Sequence, residues 1–187
     1  MKKLIVSNWI SLDGYISGPN GALDWILGDG RLAQYETGLI EDVDTTLFGR
    51  RTYEQLSQYW SAVPNSPQAM DWEKPYAQMI NAAHHVVVSS DLEKAEWGKT
   101  TIWRDIDKTT VETLKAGPGK SILMFGSASI VQQLTKLGLI DEYHLLVHPV
   151  LLGGGTRLFG EGDRTKLKRI SAEPFESGIT KLVLGPA

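Results

Sequence analysis

Apolar side chains from Leu4 to Ile10, interrupted only at Ser7-Asn8, predict a buried first strand. Turn formers dominate Ser11 to Gly21, which reads as a loop. A loop of that length in a compact protein is more often functional than idle. Leu32, Tyr35, Leu39 and Val43 then recur at intervals of three and four, predicting a helix over 32–43. Thr45 to Phe48 reads as a short strand ending at Gly49, and Arg50 to Tyr59 as a second helix. Pro64 to Pro67 breaks the chain before a helix over Asp71 to Ala82, for which Asp71 is the expected N-cap.

The second half continues the alternation. His84 to Ser89 is a β-branched strand, Thr100 to Trp103 another, and Val111 to Lys115 belongs to a helix closed by Gly117-Pro118-Gly119. Ile122 to Phe125 is an apolar run of strand length. Gly126-Ser127-Ala128-Ser129 leads from it into a helix with Ile130, Val131, Leu134 and Leu137 on one face. Glu142 to Val150 is a strand and Leu151 to Gly162 a glycine-rich loop. Lys168 to Ala172 and Ile179 to Leu184 form a last antiparallel pair around Glu173-Pro174. Strands alternating with helices, followed by strands alone, predict a mixed sheet with helices on its faces.

The 187 residues suit one domain, residues 1–187, with one real core. The net charge of −3 is spread without a basic cluster, so nucleic acid is not an expected partner. With no cysteine, disulfides and thiolate chemistry are excluded. The apolar stretch near Met1 meets Ser7-Asn8 too soon for a signal peptide, and no later run approaches the ~20 residues of a membrane helix. A cytoplasmic protein with no membrane partner is the expectation. His144 and His148 share a strand face about 13 Å apart, too far to hold one ion together, and no metal is expected.

Two strand-to-helix turns carry the clearest chemistry. At Phe125-Gly126-Ser127-Ala128-Ser129-Ile130, a glycine lets a ligand approach the backbone where unpaired N–H groups and the helix dipole favour an anion. The alternative is a tight turn at Gly126 with Ser127 as a plain helix cap. At Phe48-Gly49-Arg50-Arg51-Thr52-Tyr53, two guanidinium groups stand at a helix start, where the dipole opposes them. An anionic ligand accounts for them better than helix stability does, although pairing with Glu54 is the competing account. Ser89-Ser90 ends a strand with hydroxyls that suit a phosphate.

Asp13 and Asp24 bracket the first loop. A carboxyl beside indole and aliphatic surface, as Asp24 is beside Trp25, can have its pKa raised into a proton donor's range; an Asp-Gly turn and a helix cap are the alternatives. Gly153-Gly154-Gly155 followed by Arg157 can pass close to a planar substrate with Arg157 as a clamp, or can be a simple connection. Neither a G-x-G-x-x-G turn nor a G-x-S-x-G elbow is present.

In order along the chain, Ser11-Leu12-Asp13-Gly14-Tyr15-Ile16, Leu47 to Glu54, Val86-Val87-Val88-Ser89-Ser90, Phe125 to Ile130 and Pro149 to Gly155 resemble the reductase domain of bifunctional riboflavin-biosynthesis deaminase-reductases. More distantly they resemble dihydrofolate reductase. The resemblance spans nearly the whole chain. It implies a dihydrofolate-reductase-like three-layer α/β fold: a mixed, mainly parallel central sheet flanked by helices, with antiparallel C-terminal strands. It further implies an NADPH-dependent reductase that passes hydride to a C=N or C=O carbon of a small heterocyclic substrate, similar to 5-amino-6-(5-phosphoribosylamino)uracil reductase. Gly49, Arg50 and Thr52 would then start the helix that holds cofactor phosphates, Ser89 and Ser90 would face the adenosine ribose, and Gly126 to Ile130 would take the pyrophosphate. Trp25, Gly153, Gly154 and Arg157 are the candidates for substrate binding, and Asp13 or Asp24 for the proton. Family members are commonly homodimers. Alternatives are a same-fold reductase of an unrelated carbonyl or imine compound, and a nucleotide-binding protein without turnover.

Overall fold

A computed structural model describes residues 1–162 and 164–187. The first half contains β1 (Leu4–Ser11), β2 (Tyr15–Ser17), α1 (Gly30–Glu41), β3 (Val43–Gly49), α2 (Arg50–Ala62), α3 (Glu73–Ala82), β4 (His84–Val88) and β5 (Lys99–Trp103). The second contains α4 (Lys108–Ala116), β6 (Ser121–Met124), α5 (Ala128–Lys136), β7 (Glu142–His148), β8 (Thr156–Arg157), β9 (Leu167–Pro174) and β10 (Thr180–Pro186).

One eight-stranded sheet has the order β5-β4-β3-β6-β1-β7-β10-β9. The strands from β5 to β7 are parallel, and β10 is antiparallel to both β7 and β9. This is the mixed, mainly parallel sheet with antiparallel C-terminal strands that the alternation of elements predicts.

Period-two side chains explain why the inner strands are apolar throughout. Leu4, Val6, Leu47, Val86, Ile122 and Met124 pack with Val111 of α4 and Ile130, Val131 and Leu134 of α5. Their neighbours in sequence, Ile5, Phe48, Val87 and Leu123, pack with Ile40, Tyr53, Trp60, Tyr76 and Ile80 from α1, α2 and α3. Each inner strand therefore buries both faces, as parallel sheets covered by helices do. At the far edge, β9 exposes Lys168, Arg169, Ile170, Ser171 and Ala172 in succession, and its polar sequence suits an edge strand.

The local departures have local causes. Asp29 caps α1 by accepting the N–H groups of Arg31 at 2.7 Å and Leu32 at 3.2 Å, and Asp107 caps α4 through Thr110. Asp71 is not the cap of α3. That helix starts at Glu73, whose carboxylate folds back onto the Met70 N–H at 2.7 Å and supplies the negative charge at this end. Val43 belongs to β3 instead of closing α1, and the last hairpin turns at Phe175–Ile179, one step beyond Glu173-Pro174. The two segments expected as loops contain short strands that pair with each other, Tyr15 with Arg157 and Ser17 with Thr156. No described helix is long and apolar enough to cross a membrane.

Candidate active site

Because β1, β3, β4 and β6 run parallel, their C-terminal ends meet at one edge of the sheet, where open α/β sheets bind ligands. A cleft of about 810 Å³ opens there. All the residues expected to hold a cofactor line it: Gly49, Arg50, Arg51 and Thr52; Ser89 and Ser90; Gly126, Ser127, Ala128, Ser129 and Ile130. They come from three separate stretches, and the adjacency of β3 with β4 and β6 joins them.

The two glycine turns interlock. A Cβ on Gly49 would lie 2.3 Å from Ser127 Oγ, so only glycine lets the starts of α2 and α5 converge. Gly126 has φ +58°, donates its N–H to Asn8 Oδ1 at 3.3 Å, and is joined to Ser127 by a cis peptide. Ser127 is not a side-chain cap for α5; its hydroxyl meets that of Thr52 at 3.0 Å. Gly49 has no side chain with which to cap α2. Both helices thus present uncapped first-turn N–H groups and their positive dipole ends to the cleft, with Arg50 and Arg51 alongside. Arg50 does approach Glu54, at 3.9 Å, but both are half-exposed, and such a pair contributes little.

The serine corner is ordered by its own bonds. Ser89 Oγ accepts the N–H of Leu92 at 2.9 Å, and Ser90 donates to Asp91. Arg104, which the sequence reading does not single out, donates to the carbonyls of Ser89, Ser90 and Leu92 at 3.1, 3.2 and 2.9 Å. A single arginine after a strand has no pattern by which to recognise it.

The other end of the cleft is aromatic. Trp60 of α2 lies 4.5 Å from Tyr76 and 6.4 Å from Trp72 between ring centroids, and all three line the cleft with Trp9 of β1. Glu36 of α1 stands among them, and its Oε1 accepts the Trp9 indole N–H at 2.7 Å. Burial raises its pKa to about 7, against the opposing pull of the Trp9 bond. Glu36 was legible in principle: with Leu32, Tyr35 and Leu39 it completes the i, i+3, i+4, i+7 stripe, so a carboxyl falls on a face that packs inward.

The remaining candidates lie outside the cleft. Asp13 accepts from Ser11 Oγ at 2.6 Å, from Leu152 N at 3.1 Å and from Gly153 N at 2.8 Å. The Ser11 and Gly153 bonds hold its pKa down to about 2, the reverse of the elevation a proton donor requires. It ties the β1–β2 turn to the glycine loop. Asp24 is exposed and does not cap α1, a role that falls to Asp29. Trp25 packs edge-on against His148, with centroids 5.1 Å apart, and Gly153 is occupied by Asp13. Gly154 sits 4.0 Å from Pro19 by its would-be Cβ, and Arg157 lies over the Tyr15 ring at 4.9 Å. The glycine run serves backbone packing: a Cβ on Gly155 would fall 1.9 Å from the Ser17 carbonyl oxygen, across the β2–β8 pair. Only Thr156 of this loop reaches the cleft.

His144 is bonded to Tyr35 and, at 2.8 Å, to Glu142. Among the described residues no group of three or more His, Asp or Glu is placed to hold a metal.

Residues 2–181 match the RibD C-terminal domain. The chain belongs to the RibD C-terminal domain family. Among relatives of this RibD-type chain, Bacillus subtilis YyaP is 31% identical over 183 residues, covering 97% of this chain and 94% of YyaP. The crystal structure of a putative riboflavin biosynthesis protein from Shewanella sp. PV-4 superposes with a TM-score of 0.76 at 24% identity, covering 99% of both chains. Dihydrofolate reductase from Enterococcus faecalis, solved as a complex with NADP(H), superposes with a TM-score of 0.65 at 14% identity, covering 98% of this chain and 96% of that one. The RibD-type chain accordingly has the dihydrofolate-reductase-like fold.

Proposed function

We propose that this protein is an NADPH-dependent reductase that reduces a C=N or C=O bond of a small heterocyclic substrate, as a member of the RibD reductase group. The observation that carries this reading is the convergence of Gly49-Arg50-Arg51-Thr52, Ser89-Ser90 and Gly126–Ile130 on one cleft whose opposite end holds a carboxyl with a pKa of about 7. The interlocked glycine turns and uncapped helix starts fit a dinucleotide diphosphate. Arg50 and Arg51 supply the charge for a further phosphate, which favours NADPH over NADH.

When bound, NADPH supplies a hydride to the electrophilic carbon. The nitrogen or oxygen of the reduced bond then needs one proton, and Glu36 is its source in this reading. Its pKa lies where a carboxyl is both partly protonated and able to release the proton at neutral pH. Trp9 fixes the carboxyl through Oε1, and Glu36 lines the cleft in which the substrate would lie. Ionised Glu36 is reprotonated from water after product leaves. The homodimer of this group is carried over as part of the proposal and is read by light scattering.

Tryptophan emission, with Trp9, Trp60 and Trp72 in the cleft, reports binding directly. Titration with NADPH is expected to quench it with a Kd well below 1 mM, the value equivalent to only ~4 kcal/mol. No quenching at millimolar NADPH would sink the cofactor assignment.

A further inference from the structure

Apolar packing alone does not fix which way α1 turns. Leu32 and Ile40 are buried on its inward side, and burial of this kind has no direction. Two consecutive side chains supply the direction. Glu36 accepts from Trp9 of β1, and Tyr35 bonds His144 of β7, the strand beside β1. Consecutive residues of a helix point about 100° apart, so the two bonds together fix the rotation of α1 about its axis.

The Tyr35 bond is held from behind. His144 is buried, its Nε2 lies 2.8 Å from Glu142 Oε2, and Lys3 pairs with the other oxygen of Glu142 at 2.7 Å. Burial lowers the pKa of His144, with Glu142 pulling the other way. Against the upward push of burial, the Lys3 and His144 bonds hold the Glu142 carboxyl below its ordinary range. A neutral imidazole facing a carboxylate carries its proton on Nε2 and leaves Nδ1 bare, so the Tyr35 hydroxyl is the donor to His144. Ser7, opposite His144 in register, is a further partner of that hydroxyl, and Lys181 of β10 stands 4.6 Å over the ring while paired with Glu173. Around Glu36 stand Trp9, Tyr35 and Tyr76 of α3, whereas Lys74 of α3 is exposed. The chain from Lys3 to Tyr35 borders an apolar cluster of Leu32, Leu146, Phe175 and Ile179. A satisfied polar network in such a place adds little net stability and selects one packing arrangement over its neighbours.

Resting on the reading of Glu36 as the acid, we propose that His144 is a positioning residue for Glu36: held by Glu142 and Lys3, it fixes Tyr35 and thereby the turn of α1 that sets the Glu36 carboxyl against Trp9. Loss of this anchor frees α1 to turn, weakens the Trp9–Glu36 bond and admits water to the carboxyl, whose pKa then falls toward the ordinary 4.5.

The test is by NMR. The indole N–H resonance of Trp9, assigned by its loss in W9F, reads the bond to Glu36; the carboxyl resonance of ¹³C-labelled Glu that is missing from E36Q reads the titration. Y35F keeps the ring and removes the hydroxyl, H144L removes both ring nitrogens, and H144N keeps an acceptor near the place of Nδ1. In Y35F and H144L the Trp9 resonance is expected to move at least half of the way to its position in E36A, and the Glu36 midpoint to fall by about half a pH unit or more. H144N is expected to keep both near the parent, even where its melting temperature falls with that of H144L. A parent-like Trp9 resonance in either Y35F or H144L, or a shift in H144N as large as in H144L, overturns the proposal. Should H144L not fold, Y35F decides. A midpoint near 4.5 in the parent would instead sink the acid reading, and the Trp9 resonance would still decide the positioning role.

Discussion

The Trp9 indole donates to Glu36 Oε1 across 2.7 Å, linking the first strand to the first helix at the apolar end of the cleft. This bond fixes a carboxyl that burial holds partly protonated near neutrality. Replacing Glu36 by Gln keeps an acceptor for Trp9 and removes the proton. Turnover is expected to fall 10²- to 10⁴-fold, the usual contribution of a general acid, with the Kd for NADPH changed less than threefold. In the unmutated enzyme kcat is expected to fall as pH rises through about 7, because the acid form is the active one. A profile flat from pH 5 to 9 would remove Glu36 from the proton step.

The same residue has a stability consequence of known sign. The folded pKa of about 7 stands above the ordinary Glu value of 4.5, so the folded state holds a proton that the unfolded chain releases between those pH values. The stability it contributes is fully present below pH 4.5 and is lost as pH rises through 7. At 1.36 kcal/mol per pH unit the loss is at most about 3 kcal/mol, reduced to roughly 1–2 kcal/mol by partial solvent access. E36Q is therefore expected to melt above the parent at pH 8 and to show a smaller difference at pH 5, measured by calorimetry at both.

Gly49→Ala places a methyl where Ser127 Oγ and Cβ stand, at 2.3 and 2.9 Å. The starts of α2 and α5 must then separate, and the expected cost is 1–3 kcal/mol in stability, about what overpacking brings, with at least a tenfold loss in NADPH affinity. Adding Ser127→Gly removes both clashing atoms and is expected to restore most of the affinity. Failure of the double variant to recover would show that the contact does not govern the site.

Arg51→Ala and Arg50→Ala are each expected to weaken NADPH at least fivefold while leaving NADH binding and the melting temperature nearly unchanged, since both side chains line the cleft and, among the described residues, their one ion pair is the half-exposed contact of Arg50 with Glu54 at 3.9 Å. Arg157→Ala, with its side chain over Tyr15, is the control and is expected to leave NADPH binding as it was.

Asp13→Asn separates an anchor from an acid. Ser11 and the Leu152 and Gly153 amides hold its pKa at about 2, so the stability it contributes is present above the ordinary value near 3.8 and is lost as pH falls through 2. The variant is expected to melt a few degrees lower at pH 7 with kcat within threefold of the parent. A hundredfold fall in kcat with unchanged melting would return Asp13 to the chemistry.

By itself, the sequence determined most of the elements and the candidates for holding a cofactor. Apolar runs and glycine punctuation are local, so Leu4–Ile10, Thr45–Phe48 and the turns at Gly49 and Gly126 are legible without partners. The cofactor candidates are legible for the same reason, since each is a strand end feeding a helix start or a serine pair. What the tertiary structure decided is everything that depends on which segments meet. Asp13 is an anchor because the Leu152–Gly153 amides fold onto it, and the three-glycine run serves the approach of β8 to β2. Glu36 gains its pKa only when α1 lays it against Trp9 and the aromatic wall brought by α2 and α3. A pKa is set by desolvation and by neighbours in space, and a linear pattern carries neither until the chain has packed.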